Sequence, residues 1–246
     1  MTELKVLAPK KGLLRKLITF CPNAQSEKVR SALFEAGAGN ISNYDSCSFN
    51  SEGIGTFRGN AFTNPYAGKK EELHRETETR IEVIFTVENE RRVLNALFSS
   101  HPYEEVAYDV IPLENEANFS GSGMIGLLPN PVSEIEFLEH IKKTFGCKTI
   151  RHTALRGKTL QRVAVCGGAG SFLLKNAINS NSDIYISSDF KYHEFFDAEG
   201  KIIIADIGHY ESEQFTGEIF YELLKKKFPI FALRFSEINT NPVNYF

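Results

Sequence analysis

Residues 201–215 read KIIIADIGHYESEQF. The apolar run at 201–205 is typical of a buried strand, and the polar residues that follow it begin a helix without a long loop. A strand that leads directly into a helix is the repeating unit of an α/β sheet. The polar stretch then lies at the carboxyl end of the strand, where open α/β sheets bind ligands.

Within this stretch, His209 and Glu213 are four residues apart. On a helix this spacing places both side chains on one face, close enough to meet one ion. Imidazole and carboxylate together suit Zn, Mn, Fe or Co, whereas the lack of thiolates argues against a structural zinc knot. The alternative is an ordinary first helical turn, where a glutamate complements the helix dipole.

A second polar stretch, SSDFKYHEFF at 187–196, follows the apolar run DIYI and is expected at the same sheet edge. It repeats the four-residue spacing with Asp189 and His193, which predicts a polar cavity shared with the first stretch. The alternative is structural: Ser187 or Ser188 caps a short helix, and the aspartate favours its positive end.

The third stretch is VAVCGGAGSFLLKNA at 163–177, a strand, a glycine-rich turn and a helix. Backbone N–H groups of Gly167, Gly168 and Gly170 are candidates for binding an anion such as phosphate. The turn lacks the Lys-Ser/Thr ending of the Walker motif and the third glycine of the dinucleotide fingerprint. Tight packing of strand against helix is the alternative explanation for the glycines.

The order of patterns predicts two regions of different class. From 119 to 246 strands and helices alternate, ending in IFALRF (230–235) as a last strand, which predicts a three-layer α/β domain. From 15 to 113 the order is strand, helix, strand, strand, helix, strand, as in a ferredoxin-like antiparallel sheet. The spacer ENEANFSGSG joins them. In the strand HPYEEVAYDVIPL, the adjacent Glu104 and Glu105 should point to opposite faces and not act as a pair.

Composition narrows the class of protein. The chain has 246 residues, a net charge of −3 and 42% hydrophobic residues, and its apolar runs are far shorter than a bilayer span. Charges are interspersed, so neither a nucleic acid nor a membrane is predicted as partner. Four scattered cysteines predict buried free thiols rather than disulfides. With no secretory signal pattern, we expect a cytoplasmic protein.

Five stretches resemble the NIF-three-like dinuclear metal-centre family, whose members are often labelled GTP cyclohydrolase I type 2 homologues. They are LITFCP with HPYEEVAYDVIPLEN, GTFRGNAFTNPYAG with ETRIE, VAVCGGAGSFL, SSDFKYHEFFDAE, and ADIGHYESEQFT. The chain resembles the long subtype, in which a PII- or CutA-like module is inserted between two α/β halves. The resemblance implies that residues 15–113 form this module and residues 119–246 the second α/β half.

The resemblance also implies roles for site residues. In the family two divalent metal ions occupy a central cleft, and His209 and Glu213 match the ligands from the second half. Asp189 and His193 are then expected to orient substrate or water beside the ligands. Residues 187–189 match a Thr-Gly-Asp/Glu stretch of the family, with serine in place of glycine, so the close backbone approach there is expected to change.

The family's paired histidines and aspartate from the first half have no counterpart in this sequence. Residues 1–14 are interpreted as a linker remnant of the α/β core, and the chain as the family's C-terminal two-thirds. Half of a dinuclear site is then missing, and we expect weak or absent metal binding unless another chain completes it. The missing half should leave an exposed apolar patch. The resemblance further implies a homo-oligomer, ring-like or trimer-based.

Two functions remain open at this point. The first is a divalent-metal-dependent hydrolase whose substrate is a small nucleotide or another phosphate compound. The second is a non-catalytic regulatory or assembly protein that acts through the PII/CutA-like oligomerising module. The sequence does not decide whether the chain is an enzyme.

Overall fold

The computed structural model describes residues 1–245. The chain forms two compact units. We call Lys10–Ala117 the antiparallel unit, and residues 1–9 together with the chain from Asn118 onward the α/β unit. In the part of the chain that is described, none of the helices has the length and apolarity needed to cross a membrane.

The antiparallel unit shows the predicted order of strand, helix, strand, strand, helix, strand. Its elements are β2 (Leu14–Pro22), α1 (Ser26–Glu35), β3 (Phe49–Phe57), β4 (His74–Thr86), α2 (Glu90–Ser100) and β5 (Tyr108–Leu113). The sheet has the strand order β3-β4-β2-β5, with all neighbours antiparallel. The order places the first strand of the unit beside both the third and the fourth.

Both helices of this unit pack on one face of the sheet. Leu17, Ile81 and Val83 point from the strands toward the helices and share one core with Val29 of α1 and Val93 of α2. Side chains alternate along a strand, so the residues between these point to the opposite face.

The α/β unit is built on a six-stranded sheet of order β1-β6-β8-β9-β10-β7. Its strands are β1 (Thr2–Lys10), β6 (Ala117–Ser133), β7 (Arg151–His152), β8 (Thr159–Ala169), β9 (Ile184–Ser188) and β10 (Ile203–Asp206). Its helices are α3 (Glu134–Thr144), α4 (Leu174–Asn179), α5 (His209–Glu213) and α6 (Thr216–Lys227). The three strands β8, β9 and β10 are parallel neighbours, so their carboxyl ends meet at one edge.

Two separate cores lie on the two faces of this sheet. Alternation along β8 sends Val163 to the core shared with Phe137 of α3, and Ala164 to the core shared with Leu174 of α4. All five residues of β9 are buried, as expected for a strand covered on both faces. Helix, sheet and helix therefore form the three layers predicted, and the mixed α/β class is confirmed.

Three predictions about strands and linkers were wrong. Thr2–Lys10, expected within a linker, form edge strand β1, where polar side chains at an outer position hide the strand pattern. The spacer at 114–123 overlaps β6, which begins at Ala117. Residues 230–235, expected to form a buried strand, have no regular structure, and Ile230 and Phe231 are exposed.

All four cysteines are free, as predicted. Cys21 and Cys147 are buried, and burial raises the pKa of each thiol to about 11. Cys47 and Cys166 are only partly buried, so the prediction of burial holds for two of the four.

Candidate metal centre

The carboxyl ends of β8, β9 and β10 bring the predicted site residues to one edge of the α/β sheet. Gly168 lies near the end of β8, Asp189 follows β9, and His209 begins α5 three positions after the last residue of β10. Glu213 is the last residue of α5. The parallel register pairs Asp206 with Ser187, which aligns the residues that follow the two strands.

Asp189, His209 and Glu213 form a continuous hydrogen-bonded line. His209 Nδ1 lies 2.6 Å from Asp189 Oδ2, and His209 Nε2 lies 3.1 Å from Glu213 Oε2. Because a carboxylate can only accept, both ring nitrogens donate when both bonds are made, and a metal ion bound at Nε2 would take the place of the proton there. The side chains are about half exposed. The hydrogen bond that the His209 ring donates to Asp189 is the main cause that raises the pKa of His209, with Glu213 adding to it.

This arrangement suits a metal ligand. Ligating histidines commonly donate their second ring N–H to a carboxylate, which fixes the tautomer and the direction of the ring. Here Asp189 is the carboxylate that accepts from Nδ1. The other ring nitrogen, Nε2, is directed toward the Glu213 carboxylate on the same helix face. The pair could supply two ligands, one nitrogen and one oxygen, to a divalent ion. Within residues 1–245, no group of three His, Cys, Asp or Glu side chains is placed to hold one ion.

Two serines anchor the loop that carries Asp189. Ser187 Oγ and Ser188 Oγ both donate to Gly168 O, at 3.1 Å and 2.6 Å, and both residues are fully buried. These bonds tie the end of β9 to the end of β8. Asp189 itself has a left-handed backbone with φ 59°, a conformation that aspartate tolerates better than most residues.

The glycine-rich stretch allows α5 to approach the sheet. Gly168 has φ +65°, and a Cβ there would lie 2.4 Å from Glu213 Oε1. Its N–H donates to Ser212 Oγ at 2.8 Å, and that hydroxyl donates to His209 O. Gly167 and Gly168 belong to β8 rather than to a helix start. The Gly168 N–H is therefore engaged, and anion binding by Gly167, Gly168 and Gly170 stays a prediction.

Sequence reasoning missed Asp206 and Arg151, which shape the same edge. Asp206 is 4% exposed and accepts hydrogen bonds from Phe190 N (3.0 Å), Gly208 N (3.2 Å) and the Arg151 guanidinium. The Asp-Ile-Gly stretch was a usable signal, because aspartate often bonds the backbone two residues on. Nothing near Arg151 in the sequence points to this site.

These residues border a cavity of about 730 Å³, which we call the carboxyl-end cavity. Asp189, His209 and Glu213 line it together with the Arg151–Asp206 pair. His193 does not line the cavity. It is exposed, and its ring packs edge-on against Tyr192 at 5.2 Å between centroids. Its predicted role beside the ligands stays a prediction that this geometry does not support.

Comparison with known proteins places the chain in a family. Residues 26–242 match the model of the Duf34/NIF3 (NGG1p interacting factor 3) family. The chain belongs to the Duf34/NIF3 family. Among its NIF3 relatives are proteins named GTP cyclohydrolase 1 type 2 homolog from Halalkalibacterium halodurans (37% identity) and Bacillus subtilis (35%). Each alignment covers 100% of this chain and 67% of the relative, so the chain spans about two thirds of their length.

A solved structure of the family has the same fold. The crystal structure of a Bacillus cereus protein related to NIF3 superposes with a TM-score of 0.80 at 34% identity, covering 100% of this chain and 67% of that one. A Staphylococcus aureus protein with 21% identity and a TM-score of 0.68 shares the fold over 99% of this chain. The resemblance predicted from five sequence stretches is thus confirmed at the level of the NIF3 family.

Proposed function

We propose that the carboxyl-end cavity is half of a divalent-metal site, with His209 Nε2 and Glu213 as protein ligands. The observation that carries the proposal is the line Asp189–His209–Glu213, in which one ring nitrogen is held by a carboxylate and the other faces a second carboxylate. In this geometry a carboxylate accepts the second ring N–H of a histidine that binds a metal through its other nitrogen. Zn, Mn, Fe and Co suit this nitrogen and oxygen donor set, with two ions in a complete site.

The proposed reaction class is metal-assisted hydrolysis of a small nucleotide or another phosphate compound. A bound divalent ion would lower the pKa of a coordinated water so that hydroxide forms near neutral pH. Asp189 holds the His209 ring in place, and its carboxylate borders the same cavity. The Arg151 guanidinium is more than half exposed there and suits a phosphate oxygen.

The remaining metal ligands would come from a further α/β segment. About a third of each relative's length has no match in this chain, and α6 offers a surface for such a segment. This helix has no buried residue, and Ile219, Phe220 and Leu223 are each about 60% exposed. Exposed apolar patches of this kind mark association surfaces.

A metal titration of the purified chain tests the site. We expect Zn²⁺ or Mn²⁺ to bind weakly, and His209→Ala and Glu213→Gln each to lower the affinity by tenfold or more, because each removes one of two ligands. Glu218→Gln is the matched control, since it removes the same charge from an exposed position outside the cavity. Equal metal affinity in the wild type and both ligand variants, measured by calorimetry, would show that the ligand assignment is wrong.

Completion of the site is tested by adding the part of a relative that this chain does not match. The third of the Bacillus subtilis relative that this chain does not match would be expressed together with it. We expect a complex that binds metal at least a hundredfold more tightly and releases phosphate from GTP or a related nucleotide. A complex that forms and binds metal without hydrolysing any of these compounds would favour a regulatory or assembly role.

That second candidate function rests on the antiparallel unit. Its strand order β3-β4-β2-β5, with both helices on one face, supports a ferredoxin-like module of the PII/CutA type. In this proposal the module joins copies of the chain into a ring or a trimer-based homo-oligomer. Light scattering after size exclusion tests it: a monomer at every concentration would contradict the assembly role.

A further inference from the structure

A second cavity, of about 640 Å³, lies within the antiparallel unit. We call it the sheet-face cavity. Phe20, Glu78 and Arg80 line it, and these residues alternate with Cys21, Thr79 and Ile81, so the cavity lies on the sheet face opposite the helices. Its walls come from β3, from the loop after β3 and from the turn at 103–107. A cavity of this size is in the range of small-molecule sites.

Glu78 is the decisive residue of this cavity because it is a carboxylate that is only 8% exposed. Its Oε1 accepts a hydrogen bond from Tyr103 OH at 2.7 Å. No side chain or backbone group of residues 1–245 donates to Oε2. Among the described residues no buried side-chain nitrogen or oxygen lacks a partner, so Oε2 is not sealed in the interior but open to the cavity, where a donor supplied by a ligand can reach it.

The neighbours of Glu78 hold it in place. A Cβ on Gly55 would lie 1.9 Å from Glu78 Oε2, so the glycine leaves the space that this oxygen occupies. Tyr103 is fixed in turn by His101, whose Nδ1 accepts from Tyr103 N (3.1 Å) and whose Nε2 donates to Phe20 O (2.9 Å). Burial and the nearby Glu78 raise the pKa of Tyr103, which keeps its hydroxyl a donor.

The charge of the lining favours a cation. Four carboxylates border the cavity, from Glu52, Glu78, Glu104 and Glu105, against two guanidinium groups. Each guanidinium group already has a partner: Arg80 pairs with Glu82 at 2.9 Å and also lies 6.0 Å from the centroid of the Phe20 ring, and Arg58 donates to Glu71 O at 2.8 Å. Glu104 and Glu105 both face the cavity, in contrast to the prediction of opposite faces, because they lie in a turn before β5.

Aromatic rings form the rest of the lining. Phe57 and Tyr66 pack against Tyr103, with centroids 5.8 Å and 6.1 Å apart, and Phe20 lies on the neighbouring strand. The face of an aromatic ring attracts cations, and both the faces and the edges of the ring pack against apolar groups. Lining of this kind suits a ligand that is both charged and apolar.

We propose that the sheet-face cavity binds a small organic amine, whose ammonium group donates to Glu78 Oε2 and whose apolar body contacts the rings of Phe20, Phe57 and Tyr66. A protonated primary amine fits better than a quaternary ammonium ion, because Oε2 requires a hydrogen-bond donor. The site is independent of the proposed metal centre, since every lining residue belongs to the antiparallel unit.

The experiment uses the full chain and three amine probes, namely phenethylamine, tyramine and agmatine, with 2-phenylethanol and 3-phenylpropionate as neutral and anionic counterparts. Binding is measured by calorimetry and by amide chemical shifts in NMR. We expect at least one amine to bind tenfold or more tightly than either counterpart, and to shift the amides of Gly55 and Tyr103. Absence of binding by all three amines overturns the proposal.

Substitutions distinguish a direct contact between the amine and Glu78 from a general attraction of the amine to negative charge. Glu78→Gln should weaken amine binding by roughly tenfold to a hundredfold, the usual effect of losing a charged hydrogen-bond partner. Glu72→Gln removes the same charge from an exposed position outside the cavity and should leave the affinity unchanged. Gly55→Ala puts a methyl group where Oε2 lies and should also abolish binding while circular dichroism shows the fold retained. Equal binding by Glu78→Gln and wild type overturns the proposal.

A second copy of the chain could instead cover this face. In that case the amines would not bind, light scattering would give an oligomer, and Glu78→Gln would weaken that oligomer. This outcome also overturns the small-molecule proposal.

Discussion

Asp189 Oδ2 lies 2.6 Å from His209 Nδ1, although 20 positions separate the two residues in the chain. The contact exists because β9 and β10 are parallel neighbours whose carboxyl ends are in register. One carboxylate thus sets both the proton position and the ring orientation of the histidine, while Glu213 faces the other ring nitrogen.

The titration of His209 should reveal this contact. Because Asp189 is the main cause that raises the pKa of His209, Asp189→Asn should lower that pKa toward the ordinary histidine value. The measurement is the pH dependence of the imidazole ¹H and ¹³C shifts in metal-free buffer. Asp197→Asn is the control, because that carboxylate is exposed and does not line the cavity. A His209 pKa that stays the same in Asp189→Asn would contradict the contact.

The close approach of α5 to the glycine-rich end of β8 gives a second prediction. Gly168 and Gly146 have nearly the same left-handed φ, +65° and +64°, but only Gly168 faces Glu213, while nothing lies within 4 Å of a Cβ at Gly146. Alanine at either position should lower the free energy of unfolding by about 1–2 kcal/mol, because an L-residue is strained there.

Only Gly168→Ala should also displace the Glu213 carboxylate from His209. The readouts are urea unfolding for both variants and the His209 imidazole shifts. If the imidazole shifts in Gly168→Ala match those in Gly146→Ala, the steric contact with Glu213 is not the reason for glycine at 168.

The sequence predicts the local part of this site but not its long-range part. His209 and Glu213 were found from a four-residue spacing, and the predicted sheet edge placed Asp189 nearby, because hydrophobic runs identify buried parallel strands well. Arg151 meets Asp206 across 55 positions, a pairing decided by the antiparallel neighbour β7. No local pattern encodes such a partner.

The same limit applies to the antiparallel unit. The order of its elements follows from periodicity, since α1 and α2 each present apolar residues at helical spacing. The stretch at 101–107 is a turn rather than a strand, so alternation fails there. Because a strand was expected there, the sequence did not predict the contact between Tyr103 and Glu78, which forms only in the folded sheet.

Asp206 supplies a third prediction, about stability. Asp206→Ala would leave the buried N–H of Phe190 and the N–H of Gly208 without an acceptor. We expect a loss of about 2–4 kcal/mol in the free energy of unfolding, the cost of unsatisfied buried groups. Asp206→Asn keeps an oxygen acceptor and should cost less.

Arg151→Ala is the comparison that isolates the ion pair. The Arg151 side chain is 57% exposed, but it pairs with the buried Asp206 and donates to Phe190 O at 3.0 Å. Its removal leaves Asp206 with both backbone donors, so we expect it to cost less than Asp206→Ala. Urea unfolding measures all three variants. A larger loss for Arg151→Ala than for Asp206→Ala would show that the charge, and not the backbone bonds, stabilises this edge.

His101 makes the stability of the antiparallel unit depend on pH. Its neutral ring satisfies both neighbours, as Nε2 donates to Phe20 O and Nδ1 accepts from Tyr103 N. Burial lowers the pKa of His101 below the ordinary value of 6.5. The unfolded chain therefore binds more protons at this position, so the free energy of unfolding should fall as pH decreases through about 6.5 and below. Protonation of Nδ1 would also remove the acceptor for Tyr103 N.

The test compares the pH dependence of urea unfolding in wild type, His101→Gln and His152→Gln, followed by NMR signals of the antiparallel unit. His152 is exposed in the other unit, so its variant should keep the wild-type slope. In His101→Gln the free energy of unfolding should decrease less between about pH 7.5 and pH 5 than in the wild type. That range brackets the ordinary histidine pKa of about 6.5. If His101→Gln keeps the wild-type slope, His101 is not the buried neutral group that couples this unit to pH.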